Sequence, residues 1–328
     1  MASIHLKTGW PLLLALMLAS ALPASQAATQ PEPGINVPAA ALRGDIRLAS
    51  GRRLSYLELG AAGKPVLLLL HGKGSSAAES LPLAQQLARD FRVLALDFRG
   101  CGFSDWAPDG DYTADSTVDD VEQFVAAMQL GRFAVYGQSY GAVIGIAYAA
   151  RNPAHAALLM LGDGGPATLP DGSSPVLNPG QLQLAGAPAP RPVPVVFGNW
   201  AEMLARQAGQ AGGAVMAQML ESRFVRTGDG SVRQRSDVLG LWQTARGEAF
   251  TQPWPLVRRL AMPTLLLRAE YGLVPEQVAI AMHSANPRVE QVLIAGAGHR
   301  IYVDRPGAVL DALRSFTALH AGVLNEKK

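Results

Sequence analysis

The sequence of 328 residues predicts an α/β protein with a mostly parallel sheet and helices on both of its faces. Three observations support this fold class. Short apolar runs alternate with stretches of helical periodicity in both halves of the chain. The runs are continuously apolar, as expected of strands covered on both faces. Residues 164–198 interrupt the rhythm with many Pro, Gly and Ser, so we expect an insertion between two strands.

The predicted elements follow one another in this order. Two short strands at 45–48 and 54–59 should form a hairpin through Ser50-Gly51. Buried strands are then predicted at 65–70, 92–97, 133–136, 157–161, 263–267 and 289–294. Helices are predicted at 76–89, 116–130, 141–150, 274–285 and 306–316. Ser116, with Asp119 three residues later, resembles a capping box for the second of these helices.

The core is therefore predicted at 43–165 and 259–320, with residues 166–258 inserted as a cap. Helical stretches at 200–207, 214–224 and 238–250 predict that this cap is mostly helical. Its tryptophans are candidates to line a pocket, although packing within the cap's own core explains them better: Trp200, Trp242 and Trp254.

The N-terminus has the pattern of a signal peptide over residues 1–27. His5 and Lys7 precede an apolar stretch at 10–22, and small residues follow at 24–27. This stretch is short for a membrane span, although an uncleaved anchor is the alternative. Cleavage after Ala27 would leave a flexible lead-in at 28–42. We therefore expect an exported protein, periplasmic or secreted, without stable membrane insertion after cleavage.

Composition excludes several classes of partner and site. The 28 basic and 26 acidic residues give a formal charge of +2 without a basic cluster, so neither nucleic acid nor an anionic membrane is an expected partner. Cys101 is the single cysteine, which excludes an intrachain disulfide and argues against a cysteine-based metal site. The expected partner is a small-molecule substrate, and the oligomeric state stays open.

Ser139 is the candidate nucleophile. It lies in Gly137-Gln-Ser-Tyr-Gly141, after a predicted strand and before a predicted helix. A strand-to-helix turn this tight needs very small residues two positions before and after the serine, and glycines occupy both. The alternative is an ordinary polar residue in a glycine-rich loop.

A serine hydroxyl needs a base, and His299 is the best placed of the six histidines. It follows the last predicted strand in Gly296-Ala-Gly-His299, where open α/β sheets bind their ligands. Two backbone N–H groups are candidate donors to an oxyanion. One belongs to Tyr140, and the other belongs to Lys73, in the loop that begins His71-Gly72. His71 itself is interpreted as structural.

These motifs, together with the run Asp97-Phe-Arg-Gly-Cys-Gly-Phe-Ser104, resemble the α/β-hydrolase superfamily from about residue 52 to residue 318. The resemblance is to the group with a helical cap inserted after the sixth strand. It implies a Ser–His–acid triad that uses neither metal nor organic cofactor. It also implies a structural role for the Asp97 run, in which Arg99 should pair with a carboxylate and Cys101 is a small turn residue.

The triad acid is the open position. The usual place, after the next-to-last strand, reads Arg268-Ala-Glu-Tyr-Gly272 and holds no aspartate. Asp163, after the strand that precedes the cap, is the favoured candidate, and Glu270 is the alternative. Because the acid orients and stabilises the imidazolium, its reach matters more than its strand of origin.

The predicted function is a carboxylesterase-like serine hydrolase that cleaves an ester, thioester or lactone through an acyl-enzyme. Amide or carbon–carbon bond hydrolysis by the same triad remains an alternative, as does acyl transfer. A non-catalytic binding protein on the same scaffold is the alternative from another class.

Overall fold

The computed structural model describes residues 41–177, 195–206, 214–241 and 253–325. The predicted signal peptide, most of the lead-in, Trp242 and most of the predicted helix at 238–250 lie outside these residues. No described helix is long and apolar enough to cross a membrane.

Eight strands form one sheet in the order β1-β2-β4-β3-β5-β6-β10-β11. Only the pairs β1–β2 and β2–β4 are antiparallel, so the prediction of a mostly parallel sheet is confirmed. The strands of the described chain are β1 (Leu42–Arg47), β2 (Arg53–Leu59), β3 (Val66–Leu70), β4 (Arg92–Leu96), β5 (Phe133–Gln138), β6 (Ala156–Gly162), β7 (Val196–Phe197), β8 (Phe224–Arg226), β9 (Val232–Gln234), β10 (Thr264–Tyr271) and β11 (Val289–Gly298).

Helices cover both faces of this sheet, as predicted. Leu67 and Leu69 of β3 belong to one buried apolar cluster, and Leu68 and Leu70 belong to the other, because successive side chains of a strand point to opposite faces. The helices are α1 (Leu81–Leu87), α2 (Ala114–Ala127), α3 (Tyr140–Arg151), α4 (Trp200–Arg206), α5 (Ala214–Arg223), α6 (Pro253–Arg259), α7 (Glu276–Ala285), α8 (Ile301–Asp304), α9 (Pro306–Leu319) and α10 (Ala321–Asn325).

The ends of two helices differ from the prediction. The stretch at 76–89 is a 3₁₀ turn, Ala77–Ser80, followed by α1. The capping box at Ser116 is wrong, because α2 begins earlier. Thr113 is its N-cap and accepts a hydrogen bond from the Ser116 backbone N–H at 3.2 Å. The hydroxyl that caps the N-terminus of α2 therefore lies three residues before Ser116.

The described part of the insertion after β6 contains a small antiparallel sheet, β7-β9-β8, besides α4 and α5. The prediction of a mostly helical cap missed this sheet, because strands of two or three residues are too short to show a period in the sequence. The sheet and helices share a separate apolar core that includes Phe197, Leu220 and Phe224. Trp200 packs against this core, whereas Trp254 of α6 packs in the main core and donates its indole N–H to Thr168 O.

Candidate active site

Ser139 lies at a sharp turn between β5 and α3. Its backbone has φ 57° and ψ −116°, a conformation that a non-glycine residue rarely adopts and that costs on the order of 1–3 kcal/mol. A Cβ atom at Gly137 would lie 2.1 Å from Gly141 O, and one at Gly141 would lie 2.1 Å from Leu70 O. Both glycines are therefore required by close backbone contacts, and the side chain of Ser139 is presented at the carboxyl end of the sheet.

His299 pairs with Asp163. The ring Nδ1 of His299 donates a hydrogen bond to Asp163 Oδ2 over 2.7 Å. Asp163 is fully buried and follows β6 with φ 42°. Its carboxylate accepts two further hydrogen bonds, from the backbone N–H groups of Ala269 (3.1 Å) and Leu273 (2.8 Å). With donors on both oxygens, the carboxylate is held in one orientation towards the imidazole.

Two contacts bring Ser139 to this pair. The backbone N–H of Ser139 donates to Gly162 O over 2.8 Å, immediately before Asp163. The side chain of Gln138 donates through Nε2 to His299 O over 2.8 Å, and its Oε1 accepts from Tyr136. These two contacts tie the Ser139 turn to the residue before Asp163 and to the backbone of His299.

The hydroxyl of Ser139 is buried and makes no hydrogen bond with any residue that the structure describes. Hydrogen bonds between a nucleophile and its base are often long without substrate and shorten in the reacting complex. Gln138 was not singled out by sequence, because nothing in the elbow motif itself indicates what the side chain between Gly137 and Ser139 contacts.

Glu270 lies at the same edge but contacts a different group. Its Oε2 accepts a hydrogen bond from the Gly296 backbone N–H over 2.8 Å. The structure therefore joins Asp163 to the ring of His299 and joins Glu270 to the backbone of Gly296. The role of Asp163 as the triad acid stays a prediction that kinetics must test.

The two predicted oxyanion donors lie on elements beside the nucleophile. Tyr140 is the first residue of α3, where backbone N–H groups are not used within the helix and the dipole favours negative charge. Lys73 is buried in the loop after β3, and its ammonium lies 5.0 Å from the centre of the Tyr140 ring. The side chains of residues 73 and 140 are thus neighbours, and the role of their backbone N–H groups as oxyanion donors stays a prediction.

Comparison with known proteins assigns the family. A family model of the alpha/beta hydrolase fold matches residues 65–306. The chain belongs to the α/β-hydrolase family.

Individual relatives of this chain are also named as hydrolases. It is 26% identical over 254 residues to 2-(acetamidomethylene)succinate hydrolase of Mesorhizobium japonicum, a match that covers 77% of this chain and 87% of the relative. It is 32% identical over 108 residues to an uncharacterized hydrolase of Saccharomyces cerevisiae, covering 33% of this chain and 37% of that protein.

Solved structures share the fold over most of the chain. The crystal structure of E-2-(acetamidomethylene)succinate hydrolase superposes with a TM-score of 0.68 at 23% identity, covering 85% of this chain and all of that one. An alpha/beta hydrolase from Novosphingobium aromaticivorans gives a TM-score of 0.66 at 26% identity, covering 87% of this chain and 99% of that one.

In this α/β hydrolase His71 holds the loop after β3. Its Nδ1 donates to Gly72 O over 2.6 Å, and its Nε2 accepts from the Phe98 N–H over 3.1 Å. One nitrogen donates and the other accepts, so the ring is neutral. Burial lowers the pKa of His71 to about 4. The structural role predicted for this histidine is confirmed.

The Asp97–Ser104 run is also structural. Asp97 is buried and accepts hydrogen bonds from the N–H groups of Ala77 (2.7 Å) and Phe103 (3.0 Å), and burial raises its pKa to about 6. Arg99 pairs with Asp120 at 2.7 Å, which confirms the expected carboxylate partner. Cys101 is buried, and burial raises the pKa of its thiol to about 12, so it is not a thiolate at neutral pH.

Within the described ranges, no three histidine, cysteine, aspartate or glutamate side chains are grouped as metal ligands would be.

Gly272 is a site residue that sequence reasoning missed. A Cβ atom there would lie 2.2 Å from Asp163 Oδ2, so Gly272→Ala should push the carboxylate away from His299. We expect kcat to fall about 10- to 100-fold, because a small displacement of a catalytic group is costly. Gly228→Ala is the control, since nothing lies within 4 Å of its added methyl group. Equal activity of the two variants would contradict the proposed position of Asp163.

The neutral state of His71 predicts a pH-dependent cost for His71→Asn. Between its usual pKa of 6.5 and its folded value of about 4, the unfolded chain binds a proton that the folded chain does not, so wild-type stability falls as pH falls. The variant lacks this loss. The destabilisation caused by His71→Asn should therefore shrink by up to about 3 kcal/mol between pH 7 and pH 4. Denaturant unfolding of both proteins across this range measures it, and a cost independent of pH would contradict it.

Proposed function

We propose that this α/β hydrolase is a serine esterase that cleaves a carboxylic ester, thioester or lactone through an acyl-enzyme. The observation that carries the proposal is the strained Ser139 turn beside a His299–Asp163 pair joined at 2.7 Å. The cap and the fold are shared by enzymes of many reactions, so they do not choose among substrates.

The first step is attack on the acyl carbon. Because the Nδ1–H of His299 is donated to Asp163, its Nε2 carries the lone pair and accepts the proton of the Ser139 hydroxyl. Ser139 Oγ forms a bond to the carbonyl carbon, whose oxygen becomes an oxyanion. Asp163 stabilises the imidazolium that results, and the N–H groups of Tyr140 and Lys73 stabilise the oxyanion.

The second half releases the products. The tetrahedral intermediate expels the alcohol or thiol, which takes the proton from His299 Nε2 and leaves an acyl group on Ser139. A water molecule then gives a proton to His299 and attacks the acyl carbon. Collapse of the second intermediate returns the proton to Ser139 and releases the carboxylic acid.

Amide hydrolysis is the second candidate. The relative matched over 77% of this chain is named for an acetamido compound, and the same triad can cleave an amide when His299 protonates the leaving nitrogen. Carbon–carbon bond hydrolysis by the triad is a third reading, although no described contact favours it over an ester.

Matched ester and amide substrates test this choice. We would assay the purified protein with p-nitrophenyl esters of graded acyl length and with the p-nitroanilides of the same acids. The proposal expects kcat/KM for the best ester to exceed that of its anilide at least 100-fold, with Ser139→Ala inactive on both. A preference for the anilide would support the amide alternative. Transfer to added alcohols in preference to water would indicate an acyltransferase.

We also propose that residues 1–27 direct export and are removed, on the sequence pattern alone. N-terminal sequencing of protein recovered from the exported fraction should begin at Ala28. An intact residue 1 in that fraction would contradict cleavage and support the anchor alternative.

A further inference from the structure

Two cap hydroxyls contact the loop that follows β3. Ser236 Oγ donates a hydrogen bond to Gly74 O over 3.2 Å, and the hydroxyls of Ser76 and Ser222 lie 2.8 Å apart. Ser76, Ser222 and Ser236 are all buried. The cap residues stand well over a hundred positions from the loop in the chain, so these contacts exist only because the cap folds back against this loop.

The direction of the second contact follows from proton counting. Ser222 donates its single hydroxyl proton to Met219 O over 2.8 Å, within the last turns of α5. Its oxygen is therefore the acceptor for the Ser76 hydroxyl. Alanine at position 222 would remove this acceptor from the buried Ser76 hydroxyl, and an unsatisfied buried donor is costly.

The loop between these anchors is a tight turn. Ser75 N–H donates to Gly72 O over 3.2 Å, and Gly74 has φ 69°, as position three of a type II turn requires. Gly72 O also accepts from His71. Because C=O and N–H point in opposite directions across a planar trans peptide, the direction of Gly72 O sets the direction of the Lys73 N–H.

We propose that Ser222 and Ser236 are positioning residues that hold the Gly72–Ser76 turn from the cap side and thereby aim the Lys73 N–H. His71 holds one end of this turn from the core, and the two cap hydroxyls hold the other. The inference rests on the proposed function, since it needs the Lys73 N–H as an oxyanion donor. It makes the cap part of the catalytic framework.

Another cap–core contact provides a matched control. The indole N–H of Trp106 donates to Arg235 O over 2.6 Å, beside Ser236 in the chain. Trp106 is 44% exposed and belongs to the segment after β4, not to the turn. Trp106→Phe removes one hydrogen bond between cap and core and keeps both serine hydroxyls that bond to the Gly72–Ser76 turn.

The test compares kcat, KM and affinity for a transition-state analogue in Ser222→Ala, Ser236→Ala, Ser236→Thr and Trp106→Phe. With p-nitrophenyl butyrate we expect kcat to fall about 10- to 50-fold in each alanine variant, less than the 10²- to 10³-fold typical for complete loss of a donor, with KM within threefold of wild type. The inhibition constant of butylboronic acid, which forms a tetrahedral adduct with the serine, should rise in step with the loss of kcat. Ser236→Thr keeps a hydroxyl and should retain most of the activity, and Trp106→Phe should stay within twofold.

The outcomes separate this inference from the proposed function. Wild-type protein that neither hydrolyses the ester nor binds the boronic acid would refute both. An active wild type whose two alanine variants keep kcat within twofold would refute the positioning role alone. A rise in KM at unchanged kcat and boronate affinity would also refute it, because the hydroxyls would then affect only substrate binding. Melting temperatures within a few degrees of wild type, together with the threonine variant, distinguish a positioning effect from loss of folding.

Discussion

Ser139→Ala is expected to lower kcat for ester hydrolysis at least about 10⁴-fold while leaving the melting temperature near that of wild type. The variant removes the atom that forms the acyl bond, and His299 then has no hydroxyl to deprotonate. A residual rate above that in water should remain, because the N–H groups of Tyr140 and Lys73 would still stabilise an oxyanion formed by direct attack of water.

Fluorophosphonate labelling gives an independent measurement of the same prediction. Wild-type protein should bind one phosphonate group per chain at Ser139, identified by peptide mass, and the alanine variant should bind none. Ser284→Ala is the control, since Ser284 is an exposed serine on α7 whose hydroxyl donates to Ile280 O of its own helix. Labelling of Ser139→Ala at the wild-type rate would disprove the role of this serine, and an unlabelled wild type would favour a binding protein.

Asp163→Asn should lower kcat about 10³- to 10⁴-fold, whereas Glu270→Gln should change it by less than threefold. Asparagine has roughly the shape of aspartate but no charge to stabilise the imidazolium. Two backbone N–H groups, of Ala269 and Leu273, already point at this side chain, so its amide nitrogen cannot face either without losing a bond. That arrangement leaves His299 without a fixed tautomer.

The same pair of variants carries its own control. In Glu270→Gln the side-chain oxygen can still accept from the Gly296 N–H, and the hydrogen bond between Asp163 and the His299 ring is unchanged. Steady-state kinetics of both variants at one pH, with melting temperatures alongside, give the ranking. The reverse ranking would assign the acid to Glu270, and equal small losses would mean that neither carboxylate is essential.

Most of the fold was predictable because its signals are local. A parallel strand covered on both faces is a continuous apolar run, and each run of this kind marks a strand in the sheet. The elbow around Ser139 was predictable for the same reason, since its two glycines are needed by contacts within a few residues and with the neighbouring strand. The small sheet of the cap was not predictable, because its strands are too short for a period.

The position of the acid shows where local signals end. Asp163 follows β6 and Glu270 lies near the end of the neighbouring strand β10, and sequence spacing permits either carboxylate to approach His299. The decision depends on the backbone path after β10, where Gly272 leaves room for Asp163 and the Leu273 N–H points at it. No pattern within one segment of the sequence predicts which carboxylate bonds to His299, because the interacting groups lie at the ends of three separate strands.

By itself the sequence determined the layered sheet and the candidate nucleophile and base, because neighbouring residues specify strands, helices and tight turns. Tertiary structure alone decided which carboxylate meets His299, that Gln138 binds the backbone of His299, and that cap hydroxyls reach the turn beside Ser139. The reason is that a hydrogen bond depends on distances of about 3 Å between atoms whose separation along the chain places no limit on their separation in space.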